Sequence, residues 1–204
     1  MRIFDAPNAR DRRLPTSMSS GEKPGHMWKS QRRVAVAPVR EADGAELVAA
    51  NLASIALHAE WVVPPRDAAT FLVYARGCDG ERRVGLIARE RATRRIVGVI
   101  NLSDIVRGAL QGAYLGYYAV AGGTGRGLMT EALSLAVGQA FGELGLHRLE
   151  ANIQPGNAAS LALARRLGFR REGFSPRYLC IAGRWRDHER WALLSDEWER
   201  PAFR

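Results

Sequence analysis

Apolar positions along the chain switch between two periods, and the switches mark out its elements. Val34, Val36 and Val39 flank Pro38 and predict a short opening strand. Leu47, Val48, Leu52, Ile55 and Ala56 recur at helical spacing, which predicts one helix from Glu41 to about His58. Pro64-Pro65 breaks the chain, and a short second helix is expected near Asp67 to Tyr74. Val84, Leu86 and Ala88 alternate with other residues. The runs Ile96 to Leu102 and Tyr114 to Val120 follow, and together they predict a three-strand antiparallel meander. Met129, Ala132, Leu133, Ala136, Val137, Ala140 and Phe141 then repeat at i, i+3 and i+4, an amphipathic helix with Gly145 as its C-cap.

Residues 147 to 154, HRLEANIQ, return to period two: Leu149, Ala151 and Ile153 face one way, Arg148, Glu150 and Asn152 the other. Pro155-Gly156 turns the chain, Asn157 caps a helix carrying Leu161, Leu163, Ala164 and Leu167, and Gly168 ends it. The last apolar runs, Tyr178 to Ile181 and Trp191 to Leu194, read as a hairpin turning at Ala182-Gly183. The order is strand, two helices, three strands, helix, strand, helix, two strands. The step from 114 to 153 is long enough for a right-handed parallel crossover inside a mostly antiparallel sheet.

Composition narrows the class without choosing a function. A chain of 204 residues with 47% hydrophobic content suits one α/β domain. No apolar run is long enough to span a bilayer, and the N-terminus has no apolar signal-peptide centre, so the expectation is a cytoplasmic protein away from membranes. Two cysteines, Cys78 and Cys180, without a Cys/His cluster give no disulfide framework and no metal site, and Cys180 reads as a small buried residue. Of the net charge of +9, residues 1 to 33 hold +5 (eight Lys/Arg against Asp5, Asp11 and Glu22). Just over half of the charge thus lies in the first 33 residues, most of them in a tail, 1–31, that is expected to be disordered, and direct nucleic-acid binding is not the expectation. The folded domain is placed at 32–199, with a short C-terminal tail at 200–204.

Chemistry concentrates in AVAGGTGRGLMTEALSLAV, residues 119 to 137, where Gly122, Gly123, Gly125 and Gly127 crowd together. A helix starting near Gly125 offers its first N–H groups to an anion, and glycine lets a ligand approach the backbone. From the glycines alone, a phosphate cradle and a tight strand-to-helix turn fit equally. A Walker loop is excluded because the stretch has no Lys, and the dinucleotide fingerprint is misplaced after several strands.

Further motifs break the tie. Thr124-Gly125-Arg126-Gly127-Leu128-Met129 resembles the acetyl-CoA loop Gln/Arg-x-x-Gly-x-Gly/Ala of the GNAT N-acetyltransferases, with Thr124 and Met129 as departures. NAASLALARRLGFRREG is similar to that family's second helix and following strand. YLGYYAV, GRGLMTEAL, LHRLEANIQPGN, RLGFRREG and GRWRDHERWAL resemble the RimJ/RimL-type ribosomal-protein alanine acetyltransferases, the RimJ type being nearer. The likeness runs over about 33 to 198. It implies an α/β (α+β) fold: one domain with a mixed, mostly antiparallel sheet, a splayed parallel strand pair and helices on both faces. It also implies acetyl-CoA as cosubstrate, no metal, and a monomer or homodimer.

On that resemblance, Gly125, Arg126, Gly127, Leu128, Met129 and Thr130 cradle the pyrophosphate. Ala119 and Val120 present strand backbone to the pantetheine arm and thioester, with Asn152 and Asn157 beside it. Glu150 is the candidate base for the acceptor ammonium, its alternative role being a surface ion pair with Arg148. The family's usual acidic tyrosine falls at Ala164, so Ser160 is the candidate donor to the leaving thiolate, with Tyr117 and Tyr178 as fallbacks. His58, His147 and His188 show no triad pattern and read as structural, and Trp185, Trp191 and Trp198 as core or rim. Three functions stay open: acetylation of a protein N-terminus beginning in Ala or Ser, a ribosomal protein foremost; acetylation of a small amine; and acyl-CoA binding without catalysis.

Overall fold

A computed structural model describes residues 32–58 and 60–199. The tails at 1–31 and 200–204 lie outside the described residues. Seven strands form one sheet in the order β1-β2-β3-β4-β5-β7-β6. They are β1 Val34–Pro38, β2 Val84–Glu90, β3 Ile96–Val106, β4 Gly112–Ala119, β5 Arg148–Ile153, β6 Arg170–Ile181 and β7 Arg184–Leu194. All neighbours are antiparallel except β4 and β5, which the helix α4 (Leu128–Gly142) joins as a parallel crossover.

Strand alternation sends side chains to both faces, and helices cover each. On one face α4 and α5 (Ala158–Arg166) bury Leu133, Ala136 and Leu161 against Leu86, Ala88, Leu149 and Ala151. On the other, Leu47 of α1 (Gly44–Leu52) and Phe71 of α3 (Ala68–Arg76) pack on Ile87, Val99 and Tyr118. Burying such apolar side chains contributes about 1.5–3 kcal/mol each before entropy is counted. The predicted mixed sheet with helices on both faces is therefore the observed fold.

Four local expectations are corrected. The single helix expected over 41–58 is a 3₁₀ turn (Glu41–Asp43), then α1, then the short α2 (Ile55–His58). The break falls at Ser54, whose hydroxyl donates to Ala50 O at 2.6 Å and accepts from Ala121 N at 2.8 Å. A loop of the opposite crossover thus competes for that turn. The helix α4 ends at Gly142, and Gly145 comes two residues past the cap Glu143. Its positive φ of 61° lets Leu146 N–H reach back to Ala140 O at 3.0 Å. The closing hairpin is far longer than the apolar runs suggested, with strands of 12 and 11 residues. The turn at Ala182-Gly183 stands where it was placed. Cys180 is exposed, not buried.

Candidate active site

The strands β4 and β5 pair only over Gly112–Tyr114 and Arg148–Glu150. Beyond that they diverge, and a cleft of about 910 Å³ opens between them. Val120 N–H donates to Val97 O on β3 at 3.0 Å. By strand alternation, Ala119 and Tyr117 then turn their own N–H and C=O groups away from β3, into the gap. The Ala119 carbonyl is taken there by His58 Nε2 at 2.9 Å.

The glycine loop closes one end of the cleft. The helix α4 starts at Leu128 with Gly127 as N-cap, a turn-edge later than the sequence suggested. Gly125 and Gly127 hold φ of +77° and +73°, the left-handed region that glycine occupies without a steric penalty. A Cβ at Gly125 would meet open space, so this bare backbone faces solvent and not a packed neighbour. A Cβ on Gly123 would lie 2.2 Å from Val97 O, so that glycine packs the loop against β3. Among the described residues, no protein acceptor takes the N–H groups of Gly125, Arg126, Gly127, Leu128, Met129 or Thr130. A row of unpaired donors at the positive end of a 15-residue helix is an anion site.

Side chains fix this loop from below. Glu131, 1% exposed, accepts from Arg33 Nε at 3.2 Å and Val34 N at 3.1 Å, tying the start of the domain to the first turn of α4. Arg33 also donates to Arg126 O at 3.1 Å. Thr130 is buried and its hydroxyl accepts from Arg166 at 3.2 Å. Arg33, paired with Glu131, and Arg166 both line the cleft.

Ala119, Gly125, Gly127, Met129, Thr130, Asn152, Asn157 and Ser160 of the predicted set all border this space. Asn157 Oδ1 caps α5 by accepting from Ser160 N at 3.1 Å, which leaves its Nδ2 donors available. Asn152 Oδ1 is buried with no partner in the protein. Tyr117 is half-buried beside Ser160 and donates to its carbonyl at 3.1 Å, and desolvation pushes its phenol up to about 12.

Five predicted residues stand elsewhere. Val120 is 2% exposed and its N–H is spent on Val97, so it has no donor for the gap. The Leu128 side chain is core, leaving only its backbone N–H at the loop. Arg126 is pinned on the outer side by Glu90 at 2.7 Å and Gly122 O at 2.9 Å. Glu150 does not border the cleft: Arg148 Nε holds one oxygen at 2.9 Å and Arg190 the other at 3.0 Å. Burial alone would raise its carboxyl, but these two guanidiniums keep it below the ordinary carboxylate range. Tyr178 reaches Tyr114 OH at 3.5 Å and likewise stands off the cleft.

The chain is similar to known proteins in sequence and fold. The Acetyltransferase (GNAT) domain pattern matches residues 33–170. The chain belongs to the GNAT family. It is 42% identical over 106 residues to the Bacillus subtilis (strain 168) protein named "Probable N-acetyltransferase YjcK", covering 52% of this chain and 59% of that one. It is 43% identical over 105 residues to "[Ribosomal protein uS5]-alanine N-acetyltransferase" of Escherichia coli (strain K12), covering 52% and 54%. The chain thus spans about half the length of the curated relatives it matches. The structure of Mycobacterium smegmatis RimJ in complex with CoA-disulfide superposes with a TM-score of 0.73 at 30% identity, covering 80% of this chain and 83% of that one.

Two histidines share the cleft, a juxtaposition that the sequence did not show. His58 and His188, each 2% exposed, both border the cleft from opposite sides of the chain. Burial lowers both below the ordinary histidine range. No carboxylate borders the cleft among the described residues.

Proposed function

We propose that the protein is an acetyl-CoA-dependent N-acetyltransferase acting on the N-terminal amine of a protein beginning in Ala or Ser, a ribosomal protein foremost. The observation that carries this is the coincidence of two features in one cleft. Unpaired helix donors at 125–130 sit at one end, and strand backbone freed by the β4–β5 divergence lies beside them. The likeness to a relative named for a ribosomal protein's alanine supports the acceptor, and the cytoplasm is where both substrates meet.

The residues fit acetyl-CoA on the protein's own terms. The donors at 125–130 lack acceptors, and the phosphates supply them. The Asn157 Nδ2 offers a donor to the peptide-like pantetheine arm, and Asn152 borders the same space. Acetyl-CoA supplies an acyl carbon already activated as a thioester. The Ala119 N–H, turned into the gap, would polarise the acyl oxygen, a kind of contact that is worth about 3 kcal/mol in the transition state. The Ser160 hydroxyl, at the cleft in the first turn of α5, would hydrogen-bond the departing sulfur.

Mass spectrometry of an acceptor panel tests the reading. Purified protein with acetyl-CoA is expected to acetylate Ala- and Ser-starting peptides at the α-amine. Acetylation confined to polyamines, amino acids or aminoglycosides would move the acceptor to small amines. CoA binding without transfer to any member would leave only a binding module.

A further inference from the structure

The acceptor ammonium must lose a proton before its nitrogen can attack, and the cleft offers two neutral imidazoles and no carboxylate among the described residues. They are not equivalent. His58 Nε2 faces the Ala119 carbonyl, so that nitrogen carries the hydrogen; its Nδ1 is sealed from solvent without a partner. His188 has the reverse arrangement. Its Nδ1 lies 2.9 Å from Arg186 O and must donate to it, which leaves the lone pair on Nε2. Among the described residues Nε2 has no protein partner, and the small exposed part of this residue includes its basic atom.

The backbone holds His188 in this pose. The β6–β7 register jumps between Ser175↔His188 and Leu179↔Arg186, placing two extra residues on β6 opposite this step. Arg177 takes a φ of +49° within that bulge, and Asp187 Oδ1 fixes it by accepting Arg177 N at 2.7 Å. Bulges of this kind re-aim side chains and are enriched beside active sites. The ring is steadied by Tyr178, edge-on with centroids 6.1 Å apart. Around it, Leu179 and Ile181 of β6 and Trp61 and Val62 before α3 make an apolar wall for the acceptor side of the cleft.

We propose that His188 Nε2 is the base that takes the proton from the acceptor ammonium; this rests on the acetyl-transfer reading above. The ammonium gives one proton to Nε2. The freed amine nitrogen forms a bond to the thioester carbon, the carbon–sulfur bond breaks, and the nitrogen's second proton goes to the thiolate beside Ser160. His188 then returns its proton to solvent, so the balance is one amide, one thiol and one proton released.

Charged and titratable groups near the ring are Arg186 and Asp187 on β7, Arg177 and Tyr178 on β6, Glu60, which pairs with Arg186 at 3.5 Å, and His58 across the cleft. Burial outweighs Asp187 and the Arg186 carbonyl and keeps the imidazole neutral at pH 7. The acid limb of kcat/KM should therefore fall as His188 protonates, below its ordinary value of 6.5.

The test uses the full chain, acetyl-CoA and the best peptide of the acceptor panel. His188→Gln is expected to lower kcat by about 100-fold or more, to lose the acid limb, and to leave CoA affinity within about twofold; added imidazole should restore part of the rate. In the wild type, ¹⁵N-histidine NMR should show Nε2 unprotonated at neutral pH and titrating with the same midpoint as the acid limb, a readout independent of whether the variant folds. An unaltered profile in a folded His188→Gln, or a midpoint unrelated to the kinetic one, overturns the proposal. Wild-type inactivity on every amine would instead overturn the acetyltransferase reading itself.

Discussion

Single residues in the glycine loop do different jobs that one letter hides. Gly123 is packed, with Val97 O where a Cβ would go, whereas Gly125 is left-handed beside open space. Gly123→Ala should therefore cost about 3 kcal/mol by displacing β3 backbone. Gly125→Ala should cost only about 1 kcal/mol of left-handed strain. Urea unfolding of the two variants measures the difference, and equal losses would refute the assignment. The buried histidines set a second expectation. His58 and His188 bind protons less readily folded than unfolded. Stability is thus full above the unfolded value near 6.5 and is lost as pH falls through it toward the folded values. The melting temperature should drop from about pH 7.5 to about pH 5.5, before the carboxylates held low by arginines titrate. His58→Gln keeps a donor for Ala119 O and should flatten part of that slope; an unchanged slope would clear His58 of the effect.

At the scale of elements, what reads directly from sequence is what local physics dictates. The helical repeat of α4, the Asn157 cap of α5 and the left-handed turn at Ala182-Gly183 each depend on neighbours in sequence. The break at Ser54 was not legible because its cause is the amide of Ala121, 67 residues away. The pairing of Glu150 with Arg148, two residues away on the same strand face, was legible as the alternative to a base role, whereas Arg190 of β7 joins it only in the sheet. The cleft histidines were missed for the same reason: α2 and β7 meet only through the fold. Long-range ties also hold the cradle, the clearest being Glu131 to Arg33 and Val34. Glu131→Ala leaves a strand N–H and a half-exposed guanidinium without that carboxylate. It should cost about 2 kcal/mol and loosen the start of α4. Denaturant unfolding with CoA titration would show both; a stable variant with unweakened CoA binding would contradict the tie.

On the scale of the whole molecule, one sheet seam separates two chemistries. On the loop side of the β4–β5 opening lie unpaired helix donors and two arginines, suited to phosphates. On the hairpin side lie His188 and an apolar wall. The parallel pair must open for both to share one gap, and its ladder does stop after Tyr114 and Glu150. A crystal structure of the protein with CoA tests this most directly. Pyrophosphate oxygens are expected to accept from the N–H groups of residues 125–130, with the thiol between Ala119 and Ser160. CoA bound elsewhere, with those N–H groups left to solvent, would contradict it.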